Sequence, residues 1–286
     1  MELLVAKTAG FCFGVSRAVK MAYDTINNNK NRRIYTLGPI IHNELVVSDL
    51  EKKSVKIIEN PDKAESNDIV IIESHGVGSK QIEQLRSKNV CIVDATCPYV
   101  EKIHSIVREH CENGYNIIIV GNCSHPEVIG INGWCGGKAQ IINSIEQVKH
   151  IDTSNDNICV VSQTTNELDK WEAIKQEIMN NYPGAVVFDT ICRATYERQR
   201  EAKIIAEQVD VMVVIGSKSS SNTRNLYNIC SKLCNKSLYI QNSDDINPDD
   251  FRGCDKIGIT AGASAPDWLI NNVVNKLSEM CISTNI

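Results

Sequence analysis

Three cysteines, 85 and 95 residues apart, each stand just before a helical pattern: GFCFGVSRAVKMA at Cys12, DATCPYVEKIHSIV at Cys97 and DTICRATYERQREA at Cys192. From 28 to 30 residues after each cysteine comes a strand-like run, a glycine and a polar cluster. These clusters are LGPIIHNE with His42, VGNCSHPE with His125 and IGSKSSSN with Ser220. A third element closes each repeat after another apolar run: IIESHGVG with His75, CVVSQTTNE with Thr164 and GITAGASAPD with Ser264. Three element types recurring in one order mark three copies of a supersecondary unit. We expect the units at 14–95, at 96–190, and at 1–13 plus 191–286.

The runs inside the repeats set the fold class. Glu2–Ala6, Arg33–Leu37, Asp68–Ile72, Val90–Val93, Asn116–Val120, Ile158–Val161, Ala185–Phe188, Val211–Ile215, Ser237–Ile240 and Lys256–Ile259 are short and rich in β-branched residues. Most do not alternate, as expected of parallel strands buried on both faces. Helical patterns lie between them, with Val15, Val19, Ala22 and Ile26 on one expected face and Val100, Ile103, Val107 and Cys111 on another. Strand–helix alternation predicts an α/β fold with mostly parallel sheets. In such sheets ligands bind beyond the carboxyl ends of the strands, where all the repeated polar residues fall. Three pseudo-symmetric units could therefore point three cysteines and six polar loops into one central cavity.

Charge and cysteine usage narrow the chemistry. A formal net charge of −5 argues against a general nucleic-acid binder, which carries a basic surplus. No apolar run is long enough to span a bilayer, and MELLVAKTAG does not read as a secretory signal. The expected location is cytoplasmic, so the twelve cysteines are expected as thiols or ligands rather than a disulfide scaffold. No C-x-x-C occurs, and Cys230 and Cys234, one helical turn apart, read as core. Three converging thiolates without a fourth suggest a metal centre with an open position. Zinc with a water and an iron–sulfur cluster with one open iron both satisfy that pattern.

The remaining repeated residues suit an anion. His42, His75 and His125 are three of only six histidines, and Thr164, Ser220, Ser221, Asn222 and Ser264 add neutral donors. Pro126 and Pro266 mark helix starts, where free N–H groups favour phosphate. Histidines, hydroxyls and helix starts together form a plausible diphosphate cage, although helix capping explains any single Ser or Thr. Glu127, two residues after His125, could deliver protons if burial raises its pKa.

The set FCFGVSRAV, DATCPYV, SHPEV, SQTT, DTICRAT with ERQ, GSKSSSNT and TAGASAPD strongly resembles the 4-hydroxy-3-methylbut-2-enyl diphosphate reductase family across nearly the whole chain. The resemblance implies three α/β units around one 4Fe-4S cluster per chain, with Cys12, Cys97 and Cys192 as its ligands. It implies that His42, His75, His125, Thr164, Ser220, Ser221, Asn222 and Ser264 bind the substrate. Glu127 matches the acid that delivers protons. The implied reaction is a two-electron, two-proton dehydroxylation of an allylic diphosphate to isopentenyl and dimethylallyl diphosphate. A ferredoxin or flavodoxin is the implied electron donor, and no RNA-binding extension of the kind some relatives carry is expected. Arg193 and Ser219 depart from the family pattern at positions that are not ligands. Two other readings use the same residues: a non-enzymatic iron–sulfur or zinc sensor, which would need the cysteines but not Glu127, and a phosphosugar-binding module without metal.

Overall fold

The structure is a computed structural model and describes residues 2–152 and 157–283. In chain order the elements are β1 (Glu2–Val5), α1 (Phe13–Asn28), β2 (Ile34–Leu37), α2 (Glu44–Lys52), β3 (Val55–Ile58), β4 (Ile69–Ile72), α3 (Ser79–Ser87), β5 (Cys91–Asp94), α4 (Pro98–Glu112), β6 (Asn116–Val120) and α5 (Pro126–Gly133). There follow β7 (Gln140–Ile142), β8 (Ile158–Ser162), α6 (Leu168–Asn181), β9 (Val186–Val187), α7 (Arg193–Ala206), β10 (Val211–Ile215), α8 (Ser221–Leu233), β11 (Lys236–Ile240), β12 (Lys256–Ala261) and α9 (Asp267–Ser283).

These strands form three four-stranded sheets, ordered β3-β2-β4-β5, β7-β6-β8-β9 and β11-β10-β12-β1. Every pairing is parallel, with registers such as Ile34↔Ile69, Ile118↔Val160 and Val213↔Ile259. All three sheets share one order, second-first-third-fourth, and β1 supplies the fourth strand of the last by pairing with β12. The fold is therefore α/β with three pseudo-symmetric parallel units. The inner strands show why: IVII, ICVVS and VMVVI are buried at every position, as strands covered on both faces must be.

Two strands, β3 and β7, lie outside the expected set. Both are sheet edges; β7 has only three residues, QII, and β3 carries an exposed Lys56. An edge strand buries less, so its apolar signal is weaker. Helix α1 also differs. Its buried stripe is Gly14, Ala18, Ala22 and Thr25, while Val15, Val19 and Ile26 flank it half-buried. Helix α4 buries Val100, Ile103 and Val107 as expected, and His104 with them.

Close contacts divide the chain into two compact units. One comprises Met1–Phe13, His42–Glu44 and Arg193–Ile286; the other comprises Gly14–Ile41 and Leu45–Cys192. The first holds the β11-β10-β12-β1 sheet over a core that includes Val213, Ile259 and Leu269. The second holds the other two sheets, with Trp171 and Ile118 in one core cluster and Val70 and Leu85 in another.

Candidate active site

The shared strand order explains where the repeated residues sit. A chain that runs second-first-third-fourth reverses direction between its first and third strands, and a crevice opens at their carboxyl ends. His42 and His75 follow β2 and β4, His125 and Thr164 follow β6 and β8, and Ser220 and Ser264 follow β10 and β12. Each pair belongs to the first and third strands of one sheet. The cysteines follow the fourth strands: Cys97 after β5, Cys192 after β9 and Cys12 after β1.

The larger unit brings together His75, His125, Glu127 and Thr164. Pro126 opens α5, and His125 is its N-cap; its Nδ1 accepts the Glu127 N–H at 3.2 Å. An accepting Nδ1 fixes the neutral tautomer with the proton on Nε2. Glu127 is 1% exposed. Its Oε1 accepts the Thr164 N–H at 2.6 Å, and its Oε2 accepts the Thr164 hydroxyl at 2.7 Å. Burial pushes the Glu127 carboxyl above its ordinary range, with the Thr164 hydrogen bonds and the charge of His75 opposing but not cancelling the effect. The His75 ring meets the His125 ring edge-on, with centroids 5.4 Å apart.

Cys97 and Cys192 belong to the same unit. Cys97 is the N-cap of α4, and its N–H donates to Ser74 O at 3.0 Å. The Cys192 N–H donates to Thr164 O at 3.2 Å, tying that loop to the Glu127 pair. Gly14 faces Cys97: a Cβ on Gly14 would lie 2.5 Å from the Cys97 sulfur. The glycine therefore keeps space open beside this thiol.

The smaller unit gathers Cys12, Ser220, Asn222 and Ser264. The Cys12 N–H donates to Ala263 O at 3.3 Å, and the Ala263 N–H donates to Asn222 Oδ1 at 3.1 Å. Asn43, next to His42, donates its Nδ2 proton to Ser264 O at 2.8 Å. Ser220 is the N-cap of α8, accepting the Thr223 N–H at 3.3 Å, so the capping reading holds for it. Its own hydroxyl proton is a further donor, and Ser221 opens the helix. Ser264 is buried, and its Oγ has no hydrogen-bond partner among the described residues. A buried polar group without a partner is costly, so this one invites a ligand.

Sequence alone assigns no role to Arg198, which lies in the ERQ motif, nor to Glu73. Arg198 on α7 is buried; its Nη1 donates to Ala261 O at 2.6 Å and its Nη2 to Gly10 O at 2.9 Å. It pins the carboxyl end of β12 to the loop that carries Cys12. Glu73 is buried beside His75. The available signal was a charged residue directly after the wholly apolar strand IVII.

Among the described cysteines, Cys12, Cys97 and Cys192 are half-buried, as are Cys111 and Cys254; Cys91 and Cys123 are exposed, and Cys135, Cys159, Cys230 and Cys234 are buried. Burial pushes the Cys159 and Cys230 thiols up to about 12, which keeps them protonated and inert. Among the described residues no helix is long and apolar enough to cross a membrane.

The family model described as LytB protein matches residues 3–278. The chain is similar to the 4-hydroxy-3-methylbut-2-enyl diphosphate reductase of Caldanaerobacter subterraneus subsp. tengcongensis, at 47% identity over 282 residues covering 98% of each chain. It is 46% identical over 287 residues to the enzyme of that name from Clostridium acetobutylicum, covering 99% of this chain and 44% of that one. Among solved structures, the E-1-hydroxy-2-methyl-but-2-enyl-4-diphosphate reductase from Plasmodium falciparum superposes with a TM-score of 0.92 at 29% identity, over 97% of this chain and 88% of that one. A second, described as the terminal enzyme of the non-mevalonate pathway, gives 0.71 at 39% identity, over 98% and 100%.

Proposed function

Because the chain belongs to the LytB protein family and is an oxidoreductase of that family, we propose that it reduces 4-hydroxy-3-methylbut-2-enyl diphosphate to isopentenyl and dimethylallyl diphosphate. The observation that carries this reading is the buried Glu127–Thr164 pair. A carboxyl whose pKa is raised by burial, hydrogen-bonded to a hydroxyl at a strand end, is an acid placed to give up a proton. A sensor or a phosphosugar-binding module has no use for it.

The resident group of this reading is a 4Fe-4S cluster, one per chain. The residues fit such a group: their three sulfur donors follow equivalent fourth strands, all are half-buried, and Gly14 leaves room beside one of them. Cys12, Cys97 and Cys192 would hold it. When bound, the cluster supplies electrons and one open iron that acts as a Lewis acid toward the substrate hydroxyl. We assign the functional repeats to 14–95, 96–190, and 1–13 plus 191–286, each giving two polar loops, with Cys97 at the start of the second and Cys12 and Cys192 in the third.

The chain's own residues do the rest. His42, His75, His125, Ser220, Ser221, Asn222 and Ser264 hold the diphosphate with donors and fix its orientation. None of these is Lys or Arg, in keeping with a net charge of −5. When Glu127 is protonated the 2.7 Å bond runs the other way: Oε2–H donates to Thr164 Oγ1 and passes its proton there as the Thr164 hydroxyl gives its own to the departing hydroxyl, which leaves as water. An electron carrier such as ferredoxin or flavodoxin supplies the electrons, and the location is cytoplasmic.

Anaerobic iron and acid-labile sulfide analysis with an absorption spectrum tests the reading. About four of each per chain are expected; stoichiometric zinc, or no metal after reconstitution, would contradict it. Gly14→Ala is expected to lower iron retention, because its Cβ would displace the Cys97 sulfur. Overpacking of this kind costs about 1–3 kcal/mol, partly offset by the better helix propensity of Ala. Ser264→Ala is expected to leave the melting temperature unchanged or slightly higher, since it removes an unpartnered buried hydroxyl. Its affinity for substrate should fall about fivefold or more, measured by titration, as the loss of one hydrogen bond of about 1 kcal/mol implies.

A further inference from the structure

The two histidines of the larger unit are held in opposite ways. His125 accepts at Nδ1 from the Glu127 N–H, so its neutral form already carries a proton on Nε2. His75 instead directs Nδ1 at Glu73 Oε2, 2.7 Å away. A carboxylate only accepts, so His75 Nδ1 carries the proton of that bond. With Nδ1 committed as a donor, Nε2 bears a proton only when the ring is an imidazolium. A neutral His75 would turn a lone pair, not a donor, toward an anion.

Glu73 is built into this place. It follows β4 directly and is 5% exposed, and its carboxylate has His75 as its hydrogen-bond partner. Gly38, at φ +77°, makes the room: a Cβ there would lie 2.8 Å from Glu73 Oε1. The turn is closed by the Gly76 N–H donating to Glu73 O at 3.1 Å, and it is anchored by the Ser74 N–H donating to Ile40 O at 3.2 Å. A carboxylate this deeply buried is tolerated when it is paired with a cation, and His75, once protonated, is such a cation 2.7 Å away.

We propose that Glu73 is a positioning residue that holds His75 with Nδ1–H on its carboxylate and Nε2–H presented as a charged donor to the anionic end of the substrate. This rests on the reading of His75 as a diphosphate-binding residue. Among the described residues of this unit, the ionisable groups that face the His75 ring are Glu73 on its own loop, with Glu127 and His125 from the start of α5. Burial pulls the His75 pKa down, but the charge and hydrogen bond of Glu73, with a smaller contribution from Glu127, carry it above the ordinary value. The imidazolium therefore persists at a pH where an ordinary histidine is neutral, and it is lost only as the pH rises past the elevated value.

The test measures dissociation constants of the cluster-loaded protein for 4-hydroxy-3-methylbut-2-enyl diphosphate and for inorganic diphosphate, at about pH 6 and about pH 8.5. Taking the ratio of variant to wild type at each pH cancels the ligand's own titration. Glu73→Gln is nearly isosteric and still accepts the Nδ1 proton, but it lacks the charge. It should bind more weakly than wild type, and the loss should be about tenfold or more greater at pH 8.5 than at pH 6, because without the Glu73 charge burial strips the ring of its proton earlier as the pH rises. Glu73→Ala, which also frees the ring, should weaken binding at both values. A Glu73→Gln ratio that is equal at the two values would overturn the proposal, because a merely structural role changes affinity without changing its pH dependence. His75→Asn separates the two readings. If it weakens binding while Glu73→Gln shows no pH-dependent loss, the role of Glu73 fails alone; if it binds as wild type, the reading of His75 fails and Glu73 with it.

Discussion

Glu127→Gln is expected to retain iron and bind substrate with near-normal affinity while kcat falls about 10²–10⁴-fold, the usual worth of a positioned general acid. Gln can accept the Thr164 N–H through its Oε1, so the 2.6 Å contact that shapes the loop survives. What it lacks is an acidic proton to pass through the 2.7 Å contact with the Thr164 hydroxyl. Cleavage of the substrate's carbon–oxygen bond releases water only when the oxygen is protonated, so the bound complex should accumulate. Anaerobic turnover with an artificial reductant, beside a spectroscopic titration of binding, reads the two quantities separately. A fully loaded Glu127→Gln protein with wild-type kcat would move the proton source elsewhere and leave Glu127 as an acid of the first helical turn. Thr164→Val should show the same pattern, since it keeps the backbone N–H and removes the hydroxyl.

The second large effect concerns the thiols. Cys12→Ser, Cys97→Ser and Cys192→Ser are each expected to lose most iron and essentially all turnover, because a serine oxygen is a poor ligand for this type of centre. Cys230→Ser is the control. Cys230 is fully buried among Val214, Leu226 and Cys234, so a hydroxyl there costs about 1–3 kcal/mol of stability. Its iron content should match wild type at a temperature where it is folded. Loss of iron in Cys230→Ser but not in Cys97→Ser would overturn the ligand assignment.

Much of this architecture is readable in the chain because its inner strands have only one plausible use. IVII and VMVVI cannot face water on either side, so they must be central parallel strands, and their carboxyl ends mark the crevices in advance. The edges are harder to read. QII is three residues long, and VKII leaves α2 through Ser54 at φ +68° with almost no connecting loop. Helix α1 misleads for a different reason. Its larger apolar residues, Val15 and Val19, flank a buried stripe of Gly14, Ala18 and Ala22, and at Gly14 the close approach of Cys97 leaves no room for a side chain.

The site divides in the same way. Residues that recur at equivalent strand ends announce themselves by repetition. Glu73 and Arg198 do not, because what makes each matter is a partner far from it in sequence or a pocket made by another loop. Gly38 makes room for Glu73 from 35 residues upstream, and Arg198 reaches the Gly10 carbonyl across 188 positions. In a linear reading both look like ordinary charged residues of a turn and a helix.

The central claim is that this chain reduces an allylic diphosphate with electrons, not merely that it binds metal and anion. The most direct measurement incubates the reconstituted protein anaerobically with 4-hydroxy-3-methylbut-2-enyl diphosphate and reduced viologen, following dye oxidation and products together. The account predicts isopentenyl and dimethylallyl diphosphate, with two reducing equivalents consumed for each substrate lost. An iron-loaded protein that binds the substrate but returns it unchanged, with no dye oxidised, would contradict the account and leave a sensor in its place.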